Sequence, residues 1–135
     1  ATPDPIGPPL GGFFMPWINF KKDEFACQHC GKNEISDEII DVIQAIRTEV
    51  GYPLVVSSGY RCSKHPVEAA KSKPGTGTHC RGVAADLSLS HQQAKEVLAV
   101  ALRMDVGGVG VHQKGSGRFI HIDVDPNRKS FLWTY

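Results

Sequence analysis

What this chain lacks sets its first bounds. No apolar run comes near the roughly 20 residues that a membrane-crossing helix needs, so no membrane span is expected. An excess of charge of one sign is missing too: with a formal net charge of +1 and Lys and Arg scattered along the chain, there is no basic patch of the kind that binds nucleic acid. Internal repeats and low-complexity tracts are absent. The chain opens Ala-Thr-Pro-Asp, with neither an initiator methionine nor the basic, apolar and small-residue succession of a signal peptide, so a processed or trimmed start is expected and the export route stays open. Cysteine is scarce, with four residues, Cys27, Cys30, Cys62 and Cys80, an even number that allows three disulfide pairings. Cys27-Gln-His-Cys30 reads in three ways: as a disulfide, as half of a second, structural zinc site completed by Cys62 or a histidine, or as thiols without either role.

What is present suits one globular domain. A length of 135 residues with 41% hydrophobic content is enough to bury a real core without staples. Residues 1–18 hold more than half of the prolines, together with Phe13, Phe14 and Trp17, and read as an extended arm with aromatics that could seat it on its own domain or on a virion or cell-envelope partner. Residues 19–135 form the expected domain.

Within that domain, Ile39, Ile40, Ile43, Ile46 and Val50 follow helical spacing between Ser36 and Gly51. Leu54 to Ser58 reads as a strand. Residues 63–77 form a long loop, with one helical turn at Val67 to Ala70, suited to a substrate-binding wall. Val83 to Leu89 is the next strand. Ser90 with Gln93 has the form of a capping box, followed by Ala94, Val97, Leu98, Ala101 and Leu102 as the buried face of a second helix. Gly107 to Val111 and Arg118 to Val124 complete the strands. The expected fold is α+β, a small antiparallel sheet with two main helices on one side.

The chemistry gathers at Thr78 to Asp86, T-H-C-R-G-V-A-A-D, and at the strand around His121. His79 and Asp86 are zinc-ligand types separated by glycine and alanine, which let the backbone pass close to other groups. On a strand, His121 and Asp123 share a face with Phe119, opposite Ile120, Ile122 and Val124. Two histidines, an aspartate and an open fourth position describe a catalytic zinc site.

Ser58-Gly-Tyr-Arg-Cys62, His79-x-x-Gly82-x-Ala84-x-Asp86, Gly108-Val-Gly-Val111 and Phe119-Ile-His-Ile-Asp123 together resemble the zinc D-alanyl-D-alanine carboxypeptidases, over about Phe25 to Trp133. The branch with phage endolysins and murein L,D-endopeptidases is the most similar. The resemblance implies the hedgehog/D-Ala-D-Ala peptidase-like fold, one catalytic zinc on His79, Asp86 and His121, and Arg61 as the anchor for a substrate carboxylate. It also implies a hydrolase of peptide bonds in the stem peptides of bacterial peptidoglycan, acting at the cell wall in the periplasm, outside the cell or as part of a phage. Tyr60 and Trp133 are candidates to flank the cleft. His65 and His91 are read as having no functional part.

Two departures stand out. Gly77 occupies a position where many relatives have serine. Arg118 and Phe119 occupy the two positions, three and two before His121, where well-known branches hold a glutamate or a histidine as general base. The candidates for that role are therefore Asp123 and His112, with Asp123 equally suited to orienting a ligating imidazole. The alternative function is a non-catalytic zinc-binding interaction module, such as a phage structural or tail component.

Overall fold

The computed structural model describes residues 17–128 and 131–135. Most of the proposed arm, with its expected partner, lies outside them. Trp17, at its end, donates from its indole N–H to Asp41 Oδ1 at 2.7 Å and packs on the core.

Helix α1 spans Asp37–Val50. Ser36 Oγ accepts the Ile39 N–H at 3.5 Å, Asp37 and Glu38 place negative charge at the dipole's positive end, and Gly51 closes the helix through its N–H to Arg47 O. Ile39, Ile40, Ile43 and Ile46 are fully buried. Strand β1 (Val55–Ser58), the short helix α2 (Pro66–Ala69), strand β2 (Ala84–Ser88), helix α3 (His91–Arg103), and strands β3 (Gly108–His112), β4 (Phe119–Asp123) and β5 (Phe131–Thr134) follow.

Helix α3 departs from expectation at both ends. Ser90 makes no side-chain cap bond: the chain enters the helix through His91 at φ 53, which leaves the Ser90 hydroxyl off the helix N–H groups. Leu102 is half exposed, because the buried stripe runs through Ala94, Val97, Val100 and Ala101 and puts Leu102 past its edge.

The five strands form one sheet in the order β1-β2-β4-β3-β5. Four pair antiparallel as expected, but β5 adds to β3 in parallel, so the sheet is mixed. Alternation divides the sheet's residues between two faces. Ala85, Leu87, Val109, Ile120 and Ile122 turn to the core shared with α1 and α3. Asp86, His121 and Gly110 lie side by side in register on the opposite face, as do Ala84, Asp123 and Gly108.

Candidate metal centre

Asp86 and His121 are direct cross-strand partners, so their side chains meet by register alone: Asp86 Oδ1 lies 3.0 Å from His121 Nδ1. His79 arrives from the turn before β2. That turn depends on Gly82, at φ 72, whose ideal Cβ would lie 2.1 Å from Glu34 O. Its carbonyl accepts the Ser36 N–H, which ties the turn to the start of α1. His79 Nε2 then lies 3.2 Å from His121 Nδ1 and 3.3 Å from Asp86 Oδ1. All three residues are buried.

The outer bonds of the two imidazoles determine what the inner atoms can do. His79 Nδ1 is 2.7 Å from Gly59 O, and a carbonyl can only accept, so the proton is on Nδ1 and Nε2 presents a lone pair. His121 Nε2 is 2.9 Å from Asp123 Oδ2, which likewise draws its proton outward and leaves Nδ1 bare. Three electron-pair donors thus converge with no N–H between them, an arrangement that a cation resolves. A tetrahedral ion with nitrogen and oxygen ligands at about 2.0–2.1 Å separates its donor atoms by about 3.3 Å, and the edges here are 3.0, 3.2 and 3.3 Å. The set fits zinc. The two carboxylates favour positive charge at this point, whether a proton or a metal ion carries it: burial alone would lower the His121 pKa, but Asp123 and Asp86 raise it above the ordinary value. Burial pushes Asp86 upward, and the two imidazoles overcome it and hold its carboxyl well below the usual carboxylate range.

Asp123 is fully buried behind His121. Its Oδ1 accepts the N–H groups of Gly108 at 2.8 Å and Asp125 at 3.2 Å, while Oδ2 holds His121. It does not line the cleft. Arg61 does: one N–H reaches Asp86 Oδ2 at 3.1 Å, and Nε donates to Ser58 Oγ at 2.9 Å. His112 is the cross-strand partner of Phe119, and the two rings stack at 5.0 Å with the Tyr135 ring edge-on at 5.7 Å. Its Nδ1 is buried without a hydrogen-bond partner among the described residues.

The cleft over the three donors has a volume of about 690 Å³. Phe119, Phe131, Trp133 and Tyr135 line it on the sheet side, with Arg61 and Lys71 as its cations. Trp133 packs 5.1 Å from the His121 ring because Gly108 and Gly110 leave room: an ideal Cβ on Gly110 would stand 2.7 Å from the indole. Tyr60 is elsewhere, which corrects its expected place at the cleft. It is buried, its hydroxyl donates to Glu34 Oε2 at 2.8 Å, and that bond together with burial pushes its pKa up to about 12. It lines a second cleft with His29, Cys30 and Cys62.

Two contributors carry no signal in the sequence. Glu68 looks like an exposed loop residue yet is fully buried, accepting the N–H groups of Gly75 and Gly77 and pairing with Lys71 at 2.8 Å, so that it braces the loop leading to His79. The β5 wall beyond Trp133 is the other, since the three-residue apolar run Phe131 to Trp133 shows no period. All four cysteines are free thiols. Cys27, Cys30 and Cys62 cluster, while Cys80 sits apart beside Glu68, its pKa pushed up to about 11 by burial and by that carboxylate.

The model of the peptidase M15 family matches residues 18–123, which include His79, Asp86 and His121. The chain belongs to the peptidase M15 family. No curated protein gives a significant match. The family binds zinc and acts on the cell wall, and membership identifies a metallopeptidase lineage. No helix among the described residues is long and apolar enough to cross a membrane.

Proposed function

We propose that this chain is a zinc-dependent peptidase that hydrolyses peptide bonds in peptidoglycan stem peptides, with His79, Asp86 and His121 as the zinc ligands. The observation that carries this reading is the convergence of three bare donor atoms whose outward bonds, to Gly59 O and Asp123, already fix both imidazole tautomers. Zinc held there would lower the pKa of a bound water from 15.7 to about 7 and polarise a carbonyl.

The remaining roles belong to the chain's own groups. Asp123 acts through His121 as a positioning residue, since its oxygens already hold His121 and two backbone N–H groups. Arg61 presents its guanidinium to the cleft, where it can bind a peptide carboxylate while retaining Asp86. Trp133 and Phe119 form an apolar shelf that keeps water from the peptide's flank. His112 is the remaining candidate for the proton transfer. It shares the sheet face of His121, and it is stacked against Phe119, the position where well-known branches of the resembling family hold a catalytic histidine.

The test is digestion of purified peptidoglycan by the zinc-loaded chain, with and without chelator, with products identified by mass spectrometry. Chelator-sensitive release of defined muropeptides, lost in His121→Ala, supports the reading and names the bond cut. Bound zinc with every muropeptide left intact across pH would replace it with a zinc-binding interaction module.

A further inference from the structure

We infer that the chain carries a second, structural metal site, in which the thiolates of Cys27, Cys30 and Cys62 and the imidazole of His29 hold a zinc ion. The inference stands on geometry separate from the His79 centre and does not depend on peptide cleavage.

Cys27 and Cys30 face each other across a tight reversal. Gly31 N–H returns to Cys27 O at 2.8 Å, Cys27 N–H donates to Lys32 O at 2.8 Å, and Gly31 takes φ 78 to close the turn. Cys62 comes from a loop more than thirty positions away and completes the group, with one donor atom from each cysteine within 4.8 Å of the others. Its backbone N–H donates to Cys27 Sγ at 3.3 Å, an interaction that favours a charged sulfur. His29 Nδ1 lies 3.4 Å from Cys62 Sγ, close to the roughly 3.5 Å edge of a tetrahedron built on Zn–S of about 2.3 Å and Zn–N of about 2.0–2.1 Å. The nearby His65 has its Nδ1 occupied by the Val67 N–H at 3.2 Å, where it caps α2.

A disulfide would use two of these sulfurs and strand the third beside it. The three thiols instead supply three of the four ligands of a structural zinc site, and His29, whose Nδ1 already meets Cys62 Sγ, is the imidazole assigned to swing in as the fourth. The site's position gives it a task. The ion would pin the turn at 27–32 to the loop carrying Gly59, whose carbonyl orients His79, and Arg61, which holds Asp86. One metal would thus hold the frame of the other.

The experiment uses the full chain, prepared under reducing conditions, and reads metal content and the spectrum of the cobalt-substituted protein. Wild type should hold about two zinc ions per chain, and His121→Ala about one, with thiolate-to-cobalt charge-transfer absorption intact. Cys30→Ser, at an exposed position that tolerates substitution, should also hold about one ion but lose that absorption. His29→Ala should weaken the thiolate site at least about tenfold in chelator competition, and His65→Ala should not. A His121→Ala chain without zinc and without thiolate absorption overturns the inference, as does a disulfide within the trio found by alkylation and mass spectrometry. Weakening by His65→Ala alone overturns the assignment of His29.

Discussion

Asp123 and His112 are both candidates for the general base, and their surroundings differ. Asp123 keeps the His121 proton on the outer nitrogen. In Asp123→Asn the amide oxygen can still receive the N–H groups of Gly108 and Asp125, but its NH2 would face His121 Nε2 and push the proton to Nδ1, the atom that must donate to metal. Zinc affinity should fall by about 10–100-fold with the fold retained, measured by chelator competition beside circular dichroism. Unchanged affinity would remove Asp123 from the positioning role. His112→Ala should show the opposite split: zinc binding kept, and turnover on peptidoglycan lowered by about 10²–10⁴-fold.

The elements differ in how much of them the sequence displays. Helix α1 is legible because Ile39, Ile43 and Ile46 repeat with the helical period and Ser36 and Gly51 mark its ends. His79, Asp86 and His121 are legible as ligand types because strand alternation fixes the face of His121, and register does the rest. Strand β5 is not, since its partner β3 lies some twenty residues back and parallel pairing leaves no local trace. Nor is the burial of Glu68, which depends on two loop N–H groups folding onto it. These hidden elements can be tested. Gly110→Ala puts a Cβ 2.7 Å from the Trp133 ring, so β5 must shift, at a cost of about 1–3 kcal/mol seen in denaturant unfolding together with a change in tryptophan fluorescence. For Glu68, burial alone would raise the pKa, but Lys71 and the Gly77 N–H outweigh it and lower it below the ordinary 4.5. A carboxylate depressed in the folded state contributes stability that is present above 4.5 and lost as pH falls through its folded value. Unfolding profiles of Glu68→Gln should therefore be flatter than wild type below pH 4.5, and parallel profiles would show that Glu68 braces nothing.

At the scale of the whole molecule, the proposed sites add ties between loop segments at the margin of the core. The core of α1, α3 and the inner sheet face is continuous and apolar, whereas His79, Arg61 and Cys30 sit on loops held to one another by a few backbone bonds. An ion that binds only the folded chain stabilises it by RT ln(1 + [L]/Kd), about 2.7 kcal/mol at a hundred times Kd. For a domain of this size that corresponds to a rise of about 10 °C in the unfolding midpoint. The zinc-dependent increment, compared within each variant so that the substitution's own cost cancels, should be reduced in His121→Ala and again in Cys30→Ser, and absent when both are changed. Because Cys62 follows Gly59 and Arg61 on one loop, the increment with both ions should exceed the sum of the single-site increments: loss of the thiolate site should weaken zinc at His79 by loosening the loop that orients its imidazole. Strict additivity would mean that the two metals share a chain but not a frame, and an increment unaffected by His121→Ala would mean that the three converging donors hold no zinc.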